Sequence, residues 1–140
     1  MLDILINWNR WGKNPLESGH KRDITERAFE MMELPEVVVL TGLRRSGKTT
    51  ILYQLMDELE KNGVPQNAMI YINFEDPGFS GHLSPTLLDE VYRIYREEVY
   101  PTGKAFLFFD EIQVVPEWER WVTARNETEN IKIVVSGSSA

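Results

Sequence analysis

Residues 42–49 read Gly-Leu-Arg-Arg-Ser-Gly-Lys-Thr, so four residues separate Gly42 from Gly47, and Lys48 and Thr49 follow directly. This spacing suits capture of a polyphosphate. Phosphate oxygens must be met by several backbone N–H groups at close range, and a Cβ at Gly42 or Gly47 would obstruct that approach. The loop leads from the apolar run Val37-Val38-Val39-Leu40 into a helix-like stretch, Thr50 to Lys61, whose N-terminal dipole attracts the same negative charge. Lys48 is placed to reach β- and γ-phosphates as a point charge. The hydroxyl of Thr49 is a hard oxygen ligand for a Mg²⁺ bridging those phosphates. Ser46 and Thr50 complete the expected loop contacts, and Arg44 or Arg45 could touch phosphate or pair with Glu111, the alternative being exposure to solvent. The expected ligand is a nucleoside triphosphate.

Sixty-two residues beyond Lys48, Phe106-Leu107-Phe108-Phe109 runs into Asp110-Glu111. An apolar strand ending in two carboxylates is the Walker B pattern, and ligands of open α/β sheets gather at the carboxyl ends of strands. Asp110 is the expected Mg²⁺ ligand, directly or through water. Glu111 is placed to orient and deprotonate a water attacking the γ-phosphate. Ser136 ends the last apolar run, Ile133-Val134-Val135, where a hydroxyl could sense the γ-phosphate or the attacking water; Ser138 and Ser139 offer the same group nearby. Asn73 could restrain Glu111 or simply form a turn.

These groups need a sheet to bring them together. Ile24, Ala28, Met31 and Met32 mark one face of a helix from Arg22 to Glu33, and Val37 to Thr41 reads as a strand covered on both faces. Ile51, Leu52, Leu55, Met56 and Leu59 recur at helical spacing. Strands follow at Met69–Asn73, Ala105–Asp110 and Ile131–Ser136, with helices from near Pro85 to Val99 and from Pro116 onward. Strands alternating with helices of these lengths imply right-handed βαβ units and a parallel sheet with helices on both faces.

A chain of 140 residues with 42% hydrophobic content accommodates a single core. Residues 1–20 read as an arm, in which Trp8 and Trp11 pack or flank a base, and 21–140 as the core. With no cysteine and only His20 and His82 as imidazoles, disulfides and thiolate metal sites are excluded. Net charge is −7, and residues 51–140 carry 7 Lys/Arg against 15 Asp/Glu, which argues against a nucleic-acid footprint here. No apolar run approaches the roughly 18 residues of a membrane span, nor does the N-terminus read as a signal peptide, so no membrane association and a cytoplasmic location are expected.

Four motifs in order carry a resemblance: Thr41-Gly-Leu-Arg-Arg-Ser-Gly-Lys-Thr-Thr50, Tyr71-Ile-Asn-Phe-Glu-Asp-Pro77, Leu107-Phe-Phe-Asp-Glu-Ile-Gln113 with Trp118-Glu-Arg-Trp121, and Val134-Val-Ser-Gly-Ser-Ser139. Over about residues 20–140 the chain resembles the core of the prokaryotic AAA-plus-superfamily ATPases of archaea and bacteria, within the P-loop NTPases. The resemblance implies a three-layer α/β fold with strand order 5-1-4-3-2, here ending before the fifth strand and lid. It also implies ATP and Mg²⁺ as ligands, Lys48, Thr49, Asp110 and Glu111 as the site, and Ser136 as sensor. Further implications are C-terminal domains or self-association, hydrolysis in a longer protein, and weak turnover by these residues alone. A nucleotide-switched scaffold with little turnover is the alternative, and a small-molecule kinase the third option. ATP rather than GTP follows from the likeness, with no Asn-Lys-x-Asp guanine-reading motif in the chain.

Overall fold

In the computed structural model, which describes residues 1–2, 22–41 and 45–138, every strand is parallel to its neighbours. The chain runs α1 (Arg22–Met31), β1 (Val38–Leu40), α2 (Arg45–Lys61), β2 (Met69–Asn73), α3 (Leu87–Glu98), β3 (Ala105–Asp110), α4 (Trp118–Thr128) and β4 (Ile131–Ser136). The sheet order is β1-β4-β3-β2. β4, last in the chain, is thus inserted between the strand that feeds the phosphate loop and the strand that ends in Asp110.

Alternation along the strands sorts side chains into two cores. Ile70, Ile72, Leu107, Phe109, Ile133 and Val135 face α3 and α4, where Leu88, Val91, Tyr95 and Val122 meet them. Met69, Tyr71, Phe108 and Val134 face the other way, onto Ile51, Leu52, Leu55 and Met56 of α2 and Ala28 of α1. Because both faces are covered, both sets of alternate positions must be apolar, which is why these strands read as continuous hydrophobic runs. Phe109 is fully buried, its ring 5.3 Å from Phe74 and 6.2 Å from Trp121 between centroids. Truncation to Ala is expected to cost about 3–5 kcal/mol, read as a lowered midpoint in urea with an unchanged slope.

Three expectations are corrected. β1 is not covered on both faces: Val39 is 49% exposed, because β1 lies at the sheet edge and its only strand partner among the described residues is β4. α2 begins at Arg45 rather than Thr50, so Lys48 and Thr49 lie within the helix, close to its N-terminal end. α4 begins at Trp118, after a left-handed Glu117, so Pro116 precedes the helix instead of opening it. At the far rim of the sheet, Lys132 is buried on β4, and its ammonium donates to the carbonyls of Leu34 and Glu36, tying down the α1–β1 connection. Burial pulls its pKa below the ordinary lysine value. No described helix is long and apolar enough to cross a membrane.

Candidate functional site

The carboxyl ends of β3 and β4 and the first turn of α2 converge on one rim. Asp110 has no exposed surface, and its carboxylate is met from three elements. Thr49 Oγ1 on α2 donates to Oδ2 at 2.6 Å, Tyr71 Oη on β2 donates to the same oxygen at 2.6 Å, and Ser136 Oγ on β4 donates to Oδ1. Burial, reinforced by the neighbouring Asp110 charge and the Tyr53 hydroxyl, pushes the Tyr71 phenol far above its ordinary pKa, so it stays a proton donor.

Glu111 sits one residue beyond the strand with φ 54° and ψ 48°, left-handed backbone that side chains other than Gly and Asn rarely adopt. This kink turns its carboxylate out of the strand direction. Its N–H donates to Ser136 Oγ at 3.1 Å, and its Oε1 accepts from Gln113 Nε2 at 2.8 Å and from Ser138 Oγ at 3.3 Å. Lys48 is fully buried, and its Nζ donates to the same Ser138 hydroxyl at 3.3 Å. The chain Lys48–Ser138–Glu111 therefore links the cation of the loop helix to the carboxylate of the strand tip. The amide oxygen of Gln113 accepts from the N–H of Ser138 at 3.3 Å, and a Cβ at Gly137 would come within 3.1 Å of that oxygen. A larger residue there would oblige the Gln113 amide to shift by a few tenths of an ångström.

Lys48, Thr49, Asp110, Glu111 and Ser136, brought together by the fold, were all anticipated from sequence. Gly47 is buried beside them and Thr50 half-buried in the same turn, whereas Arg45 and Ser46 begin the helix backbone. Gly42 and Arg44 lie outside the described residues, as do Ser139 and positions 3–20 of the arm with Trp8, Trp11 and His20. The Ser136 hydroxyl is engaged with Asp110 and Glu111, while Ser138 is the serine facing Lys48. Asn73 accepts from the N–H of Glu75 at 2.9 Å and shapes the turn after β2. Sequence reasoning missed Tyr71 and Gln113. A signal existed for the first, since a lone phenol inside an apolar buried strand must find a hydrogen-bond partner.

The oxygen donors of Thr49 and Asp110 suit a hard cation such as Mg²⁺, which takes one or two protein oxygens and completes its octahedron with water and phosphate. Among the described residues no cluster of three or more His, Cys, Asp or Glu side chains that could hold a metal ion is present.

Residues 34–140 match the model of a family described as AAA domain. An uncharacterized protein of Methanocaldococcus jannaschii is 33% identical over 141 residues, covering 100% of this chain and 30% of that protein. An uncharacterized protein of Haemophilus influenzae is 28% identical over 120 residues, covering 86% of this chain and 30% of that protein. The chain thus spans under a third of the length of these relatives. Among solved structures, AMPPCP-bound DnaA from Aquifex aeolicus superposes with a TM-score of 0.53 at 19% identity, over 91% of this chain and 41% of that one. PCH-2 from C. elegans superposes with a TM-score of 0.54 at 15% identity, over 92% and 39%. Both share the α/β fold described above.

Proposed function

The chain belongs to the AAA domain family, and from that premise we propose that it binds ATP with Mg²⁺ and, as part of a longer protein, hydrolyses it to drive a conformational change in further domains or in neighbouring copies. The core of this module is residues 21–140. The observation that carries the reading is the 2.6 Å contact between Thr49 Oγ1 and Asp110 Oδ2, which joins the phosphate-loop helix to the acidic strand tip at one rim of one sheet.

The roles proposed for individual residues combine the sequence pattern with the geometry of the described ones. Lys48 neutralises the β- and γ-phosphate oxygens, in a buried setting where a point charge acts more strongly than in water. Gly42, Arg44, Arg45, Ser46, Gly47 and Thr50 belong to the phosphate cradle. Thr49 and Asp110 would hold Mg²⁺, which when bound would offset charge on the phosphate oxygens. Glu111 takes the proton of a water that attacks the γ-phosphorus as the bond to the bridging oxygen breaks and ADP leaves. Ser138, hydrogen-bonded to both Lys48 and Glu111, is the serine that reports the γ-phosphate. Ser136 acts on the reaction through Asp110 and the Glu111 backbone.

A thermal melt with Mg²⁺ and a non-hydrolysable ATP analogue tests binding on this chain as it stands. At a hundred times the dissociation constant the folded state gains about 2.7 kcal/mol, and the melting temperature rises accordingly. An unchanged melt across millimolar analogue would end the proposal. Binding without turnover in the longer protein would favour the nucleotide-switched scaffold.

A further inference from the structure

We propose that Tyr71 is a positioning residue for Mg²⁺ capture, its phenol holding the Asp110 carboxylate in the rotamer that presents Oδ2 to Thr49. The role rests on the ATP-Mg²⁺ reading above. Tyr71 is fully buried at the centre of β2, and its ring packs edge-on against Tyr53 at 4.9 Å between centroids. Those apolar contacts would be served equally by phenylalanine. The hydroxyl is the part that packing leaves unexplained, and it reaches across from β2 to Asp110 Oδ2 at 2.6 Å, the same oxygen that Thr49 Oγ1 contacts.

With Ser136 on the opposite oxygen, rotation of the carboxylate about its Cβ–Cγ bond would break a hydrogen bond on either side. A carboxylate with fixed orientation loses less freedom when it takes up a cation or the water of one, which is how a preorganised site raises affinity. Tyr71 need not touch the cation to do this. Register supports the placement: Tyr71 pairs with Phe108 and Asn73 with Asp110, so the phenol rises along β2 toward the strand tip on the face shared with α2.

The test is Tyr71→Phe, read by binding of a fluorescent non-hydrolysable ATP analogue during a Mg²⁺ titration and again in EDTA. The variant is expected to need about tenfold more Mg²⁺ for half-maximal enhancement of binding, one charge-assisted hydrogen bond being worth that factor. Affinity in EDTA should be unchanged, whereas a merely structural role would weaken both arms together. Superimposable Mg²⁺ curves for variant and wild type would overturn the role of Tyr71 and leave the nucleotide reading standing. Failure of the wild type to bind the analogue in either arm would remove both. Should the variant not fold, 3-fluorotyrosine incorporated into the wild type supplies a second readout. Its resonance at position 71 is expected to shift when Mg²⁺ joins the nucleotide-bound protein, and a stationary signal would count against the proposal.

Discussion

Glu111→Gln is expected to leave ATP bound and to slow its hydrolysis by about a hundredfold to ten-thousandfold, the range over which a positioned general base acts. The exchange keeps size and planarity while removing the ability to take a proton. Gln113 and Ser138 both donate to the Glu111 carboxylate, and an amide oxygen can still accept from them, so the local geometry should survive. Single-turnover hydrolysis in the longer protein, alongside analogue binding, separates the two steps. A variant that hydrolyses within a factor of two of wild type would remove Glu111 from the chemistry and return the assignment to the neighbouring groups.

Lys48→Ala should act one step earlier, at binding. The side chain is fully buried, hydrogen-bonded to Ser138, and contributes the cation proposed to meet the triphosphate. Loss of two charge-assisted hydrogen bonds predicts a fall in affinity of about a hundredfold. Arginine would be a poor replacement, since a planar, larger guanidinium must take the place of a fully buried compact ammonium. Equilibrium titration with the ATP analogue decides the matter. Retained affinity in Lys48→Ala would mean that the backbone cradle alone binds the phosphates and that the lysine serves another purpose.

The acidic strand tip and the lysine were legible because their signals are local: Gly47-Lys48-Thr49 and Phe109-Asp110-Glu111 each announce themselves within a few residues. The parallel sheet was legible for the same reason, as continuous apolar runs alternated with helical periodicity. What escaped depends on register between segments far apart in the chain. Tyr71 meets Asp110 across 39 positions, and Ser138 meets Lys48 across 90. Nothing in the local composition of β2 says which of its residues will stand beside the tip of β3; that follows only once Asn73 is paired with Asp110. Gln113 escaped because a glutamine two residues past a strand resembles any exposed turn residue until the left-handed turn at Glu111 brings its amide back onto the carboxylate. Val39 misled in the opposite direction. An apolar residue in an apolar run suggests burial on both faces, whereas the strand order implied by the resemblance, ending before a fifth strand, leaves its strand at an edge.

The left-handed backbone at Glu111 has a cost, since a residue with a Cβ pays roughly 1–2 kcal/mol for that conformation. Asparagine or glycine would occupy the same kink with less strain. With Glu111 as the base proposed above, folding and chemistry pull position 111 in opposite directions. A library sieved only for heat endurance would drift toward the relaxed residues there, and its hardiest survivors would be proteins that grip their nucleotide and never spend it.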